Sequence, residues 1–220
     1  MELHQDHIGK YQILNKVNSP RDLKKLSKEE LKMLAQDIRD KILEVVSKNG
    51  GHLGGPLGAV ELSIAVHYVF EAPKDKIVID TGHQSYPHKL LTGRRDNFHT
   101  LRQYKGVCGF CNIFESEYDV FGAGHASTAI SAALGMAKAR DFKKEAHKVV
   151  AIVGDGALTA GLAFEGLNNL GAEKTSMLII LNDNRMSISP NVGAISNYLN
   201  KIVLKPGYFR LRRTTKGLLQ

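Results

Sequence analysis

The chain has 220 residues and a formal net charge of +8; at 43% hydrophobic and 24% charged it matches the globular average, which excludes wholesale disorder. That length holds one or two domains with a sizeable core. No apolar run reaches the roughly 20 residues needed to cross a bilayer, the opening MELHQDHIGKYQ has no apolar signal core, and two cysteines are too few for a disulfide scaffold, so a cytoplasmic α/β protein with no membrane partner is expected.

In chain order, Ser19-Pro20 reads as a helix start, with the hydroxyl capping and proline tolerated in the first turn. Ser27-Lys28-Glu29-Glu30 has the capping-box pattern, and Leu31, Leu34, Ile38, Ile42 and Val45 follow at helical spacing before a stop at Asn49-Gly50-Gly51. A second helix is expected over about 57–70, ending before Pro73. The β-branched run at 76–80 is a short buried strand that leads into Thr81-Gly82-His83. Residues 125–140, rich in Ala, Ser and Gly, suit a helix packed closely on a sheet. A second strand at 149–153 ends at Gly154-Asp155-Gly156, a helix covers 159–169, and a third strand at 176–181 ends at Asn182-Asp183-Asn184. Strands separated by helices imply right-handed crossovers and a parallel sheet with helices on both faces, and such sheets bind ligands beyond the carboxyl ends of their strands.

The last 20 residues carry six basic side chains and no acid, which leaves only +2 for residues 1–200. Without aromatic residues interleaved for stacking on bases, this tail reads as a solvated or partner-facing helix, and nucleic acid is not expected as a partner. The expected organisation is an N-terminal helical segment over 1–50, an α/β domain over 51–200 and a basic helical tail over 201–220, with no repeat, linker or low-complexity stretch.

Gly154-Asp155-Gly156-Ala157 stands at a strand-to-helix turn, where glycine allows close backbone approach and free N–H groups can meet a phosphate. Alone the motif is weak, because such turns use Gly and Asp for structural reasons. Asn184 follows Asp155 by 29 residues, one helix and one strand later, which suits a βαβ unit that brings neighbouring strand ends together. The Asp155 carboxylate, the Asn184 carbonyl, the nearby Met186 backbone carbonyl and two phosphate oxygens make a hard-oxygen shell for Mg²⁺.

Further segments sharpen this: Gly51-His52-Leu53-Gly54-Gly55-Pro56-Leu57-Gly58, Asp80-Thr81-Gly82-His83-Gln84-Ser85-Tyr86-Pro87-His88-Lys89, and Glu115-Ser116-Glu117-Tyr118-Asp119 leading to Gly122-Ala123-Gly124-His125-Ala126-Ser127-Thr128. With GDGALTAGLAFEGLNNLG and LNDNRMSISPNVGAISNYL, they resemble the 1-deoxy-D-xylulose-5-phosphate synthases over about 13–199. That family condenses pyruvate with D-glyceraldehyde 3-phosphate, releasing CO2, on thiamine diphosphate and Mg²⁺, and works as a homodimer. The resemblance implies Asp155, Asn184 and the Met186 carbonyl as metal ligands, and Gly156 and Ala157 as backbone contacts to the diphosphate. It implies His83 against the cofactor, Gly124, His125 and Ala126 lining its cleft, and His52 facing the reacting carbon as a proton shuttle.

The chain departs from the family at Cys111, where proline is usual, at Pro56 and at Ala126, where many relatives carry serine. Cys108-Gly109-Phe110-Cys111 lacks the second pair a zinc site needs and reads as a loop rather than a helix start, so its thiols are expected to be incidental. His4, His7, His67, His99 and His147 read as ordinary surface or core residues, and His88 as intermediate between these and a functional residue. The family's pyrimidine-binding domain and its activating glutamate have no counterpart in these residues. The expected reading is a fragment inactive alone; the alternative is a split subunit completed by a separate pyrimidine-domain partner chain.

Overall fold

Capping sets where the first helices begin. In a computed structural model, which describes residues 11–183 together with 194, 198 and 201, α1 (Pro20–Leu23) starts behind Ser19 with proline in its first turn, and Asp22 accepts the backbone N–H groups of Asn18 and Ser19 at 3.1 and 3.0 Å. In α2 (Lys28–Asn49) the reciprocal bonds of the capping box are both formed, Glu30 N–H to Ser27 Oγ at 3.1 Å and Ser27 N–H to Glu30 Oε2 at 2.9 Å. The helix stops at Gly50, whose φ of 75° a side chain would oppose. Leu34, Ile38, Ile42 and Val45 lie on its buried stripe and pack with Leu14, Leu23, Tyr86, Leu90 and Phe98 in one apolar cluster.

The stretch expected as one helix over 57–70 is two, α3 (Gly54–Gly58) and α4 (Val60–Val69), broken at Ala59. Glycine and proline at 54–58 explain the break: Pro56 has no N–H to offer and glycine has low helix propensity. Then come β1 (Lys76–Ile79), α5 (Tyr86–Leu91), α6 (Ala129–Phe142), β2 (Val149–Gly154), α7 (Asp155–Leu158), α8 (Gly161–Glu173) and β3 (Leu178–Asn182). The helix expected from 125 begins only at Ala129, because Ser127 has a φ of 77°, outside the helical region. The helix expected from 159 begins at Gly161, after the separate turn of α7.

The strands form a parallel sheet in the order β1-β2-β3, with Ile79 opposite Ile152 and Gly154 opposite Asn182. Helix α6 lies against β1 and β2, and α8 packs on α6. Ile77, Ile79, Val150 and Ile152, which alternation turns to one face, pack instead against Val66 of α4 with Leu62 and Phe70. Both faces of β1 and β2 are therefore covered, as a parallel sheet requires. Strand β3 is more open, with Leu178 at 44% exposure and Leu181 at 36%. The chain divides into two compact units, Met1–Met186 and Ser187–Gln220, and all these elements belong to the first.

Candidate functional site

The register places Asp80, the Gly154-Asp155 turn and Asn182 at one end of the sheet, the carboxyl end of its strands. Asp80 is buried there and organises what surrounds it. Its Oδ1 accepts the Ser127 N–H at 2.8 Å and the Thr81 hydroxyl at 2.9 Å, and its Oδ2 accepts the Ala129 N–H at 3.2 Å. Thr81 and Ser127 both have left-handed backbones, with φ of 60° and 77°. Such strain in a β-branched and a short polar residue persists only where surrounding bonds over-determine it, and it clusters at functional sites. Ser127 also donates its hydroxyl to the Ala157 carbonyl at 2.7 Å, so the 124–126 loop is tied to the turn that carries Asp155, Gly156 and Ala157.

The expected residues meet this frame in three groups. His52 and His83 come together, ring centroids 5.6 Å apart, with Phe110 6.2 Å from His52. His83 presses on α3: a methyl group at Gly55 would stand 2.6 Å from its Cδ2, so any side chain there would force the imidazole to move. Burial holds both imidazoles below their ordinary pKa, helped at His52 by the Arg102 charge and at His83 by His52, with Asp80 opposing. In the second group Gly124 and His125 are exposed and Ala126 half-buried; His125 Nδ1 lies 2.7 Å from the Ala126 carbonyl, which can only accept, so Nδ1 carries the proton. In the third, Asp155 and Ala157 are half-buried and Gly156 is exposed. The remaining expected ligands, Asn184 and Met186, lie outside the described residues.

Gln84 connects the groups. It follows His83, its Oε1 accepts the Asn182 side-chain N–H at 2.8 Å, and its Nε2, buried without a partner among the described residues, sits near Gly154. A half-buried carboxylate, exposed glycine at 122, 124 and 156, and an amide donor unpartnered among the described residues fit a metal-bound diphosphate.

Sequence reading missed Asp80, Gln84, Ser127 and Arg102 as site-building residues. Arg102 has a φ of 64° and lies over the Phe110 ring at 5.9 Å, wedged between Gly51 and Gly109 beside His52. Only the DTG triplet after β1 hinted at Asp80; nothing in the spacing marks Arg102, which reaches the site through a loop.

A second polar cluster lies beneath the 111–119 loop. Asp119 accepts from Arg94 and from the Asn112 N–H, both at 2.8 Å, and its Oδ1 lies 2.8 Å from His88 Nε2. Glu115 accepts from Arg94 at 2.9 Å, from the Cys108 N–H at 2.6 Å, and from Lys89. His67 Nε2 stands 2.8 Å from His88 Nδ1. Burial alone would raise the Asp119 pKa, but its bonds from His88 and Arg94 hold it well below the usual carboxylate range. His88, Cys111 and Asp119 place ligand atoms within 4.8 Å of one another. They do not make a metal centre: both His88 nitrogens are engaged, two cations already neutralise Asp119, and burial pushes the Cys111 thiol up to about 12. Cys108 and Cys111 are both free thiols, on a loop as expected.

The family described as 1-deoxy-D-xylulose-5-phosphate synthase matches residues 14–220. Curated relatives of that name include proteins of Dictyoglomus turgidum, 58% identical over 208 residues, and Alkaliphilus oremlandii, 54% identical over 209 residues. These alignments cover 94% and 95% of this chain and 34% of each relative, so the chain spans about a third of their length. The chain belongs to the 1-deoxy-D-xylulose-5-phosphate synthase family.

Proposed function

We propose that these residues are the thiamine diphosphate- and Mg²⁺-binding part of an enzyme that joins pyruvate to D-glyceraldehyde 3-phosphate with loss of CO2, giving 1-deoxy-D-xylulose 5-phosphate for isoprenoid, thiamine and pyridoxal synthesis in the bacterial cytoplasm. One observation carries the reading: the Asp80 frame gathers the 124–126 loop, the Asp155 turn and the segment holding His83 at one end of a parallel sheet. Asp155, Asn184 and the Met186 carbonyl hold the metal, and the Gly156 and Ala157 backbone meets the diphosphate. Gly124, His125 and Ala126 line the cleft, and His83 lies against the cofactor. Thiamine diphosphate, when bound, supplies the carbon nucleophile for pyruvate and the sink for the electrons that departing CO2 leaves behind.

The chain's own side chains handle protons and charge. His52, its pKa depressed by burial and by Arg102, is unprotonated near neutral pH and accepts a proton from a substrate hydroxyl, returning it in a later step. Arg102 has no acidic partner among the described residues, so its charge is available to an anionic substrate. Turnover also needs the activating glutamate of a pyrimidine-binding region, supplied by a longer chain or a separate partner, and assembly as a homodimer.

Titration calorimetry tests this. The 220-residue chain is expected to bind thiamine diphosphate weakly and only with Mg²⁺, and Asp155→Asn to lose at least tenfold in affinity. No Mg²⁺-dependent binding would sink the reading. Pyruvate-dependent CO2 release by the purified chain alone would overturn the need for a further region.

A further inference from the structure

Residues 70–74 lead into the amino end of β1, the opposite end of that strand from the histidine pair. With α1 they enclose a recess of about 360 Å³, the size of a small metabolite site. Pro20, Phe70 and Ala72 give it apolar walls, while Arg21, Lys24 and Lys74 face a single acid, Glu71. Glu71 pairs with Lys74 at 3.9 Å, whereas the side chains of Arg21 and Lys24 form no hydrogen bond or ion pair among the described residues. The lining is thus net positive.

His67 also lines the recess, and hydrogen-bond logic assigns its chemistry. The Asp119 carboxylate only accepts, so the proton between it and His88 sits on His88 Nε2. His88 Nδ1 is then an acceptor and takes the proton of His67 Nε2 at 2.8 Å. His67 Nδ1 is left as a lone-pair acceptor, without a partner among the described residues and closed to a water-sized group by the wall that covers it. It lacks a donor, not another acceptor.

We propose that this recess is a second ligand site, for a small hydroxylated anion whose phosphate or carboxylate meets Arg21 and Lys24 and whose hydroxyl, once the wall over His67 parts to admit it, donates to His67 Nδ1. A cation is repelled by the same rim, and a purely apolar ligand leaves His67 unsatisfied. The His67–His88–Asp119 chain ends on the Asn112 N–H, so occupancy is felt in the loop that carries Phe110 toward His52.

The test titrates the 220-residue chain with glycerol 3-phosphate, with glycerate and with propyl phosphate, which lacks the carbon-bound hydroxyl, while long-range imidazole NMR reads the His67 nitrogens. Saturable binding that shifts His67 Nδ1 is expected, with propyl phosphate weaker and added salt weakening every anion. Glycerol 3-phosphate and glycerate arms separate phosphate from carboxylate recognition. Arg21→Ala combined with Lys24→Ala, both exposed positions checked for retained fold by circular dichroism, should weaken binding about fivefold. Asp155→Asn should leave it unchanged, which separates this site from the cofactor site. No saturable shift at millimolar ligand, or equal affinity in the double variant, overturns the proposal.

Discussion

Two polar clusters of this chain, the ion network around Asp119 and the histidine pair beside Arg102, use similar residue types to opposite ends. Around Asp119 the charges are buried or half-buried and paired: two cations, two acids and a histidine share direct bonds, and their backbone contacts pin the 111–119 loop. Around His52 the side chains are exposed or half-buried, Arg102 has no acid beside it among the described residues, and both imidazoles are held below their ordinary pKa. Charges that answer one another give shape. Charges and imidazoles left open toward a cleft are available to a ligand. The His88-Cys111-Asp119 trio belongs to the first kind even though its residue types suggest a metal.

Several measurements can break or sharpen that contrast. The largest effect is expected from Asp119→Ala, which strands Arg94, Lys89 and His88 without their shared acceptor: a loss of about 3–5 kcal/mol in urea unfolding. A loss below about 1 kcal/mol would show that the network does not hold the loop.

Acid titration comes next. His67 and His88 have lowered folded-state pKa values, both from burial first, while in the unfolded chain they titrate near 6.5. The unfolded state therefore binds protons that the native state refuses. Stability is full above about pH 6.5 and declines as pH falls below it, and Asp119, depressed in the fold, adds a further loss below about pH 4. Urea midpoints that stay level from pH 7.5 to 5 would contradict this.

Gly55→Ala reverses the pattern by acting on the open cluster. Its methyl group would stand 2.6 Å from His83 Cδ2, so His83 must turn away. Cofactor affinity should fall by roughly tenfold while stability changes by no more than about 1 kcal/mol. Equal stability and unchanged affinity would remove His83 from the site. The smallest effect is expected at the cysteines. Cys111, buried with its thiol pKa pushed up to about 12, should resist alkylation in the native protein until urea exposes it, and Cys108→Ser should shift stability by less than about 0.5 kcal/mol. Mass spectrometry of alkylated protein reads the first, and rapid native labelling of Cys111 would show an opening that the fold does not predict.

Much of the architecture was legible locally. The caps at Ser19 and Ser27 depend on side chains three residues from their partners, and the strands at 76–79 and 149–154 announce themselves by β-branched runs. The failures are local too. The break at Ala59 and the late start of α6 come from backbone geometry that small residues permit but do not specify.

For the site, sequence alone determined the residue types and their order: the glycine-flanked histidines, the Asp155 turn and the strand ends at which ligands gather. Tertiary structure decided which of them meet. The Asp80 carboxylate reaches Ser127, 47 residues away, Arg102 arrives beside His52 from a loop beyond α5 in the sequence, and His67 on α4 finds His88 on α5. Short-range patterns record hydrogen bonds within a turn. A buried carboxylate or an unpaired guanidinium takes its meaning from partners that only the folded chain brings within 3 Å or keeps away.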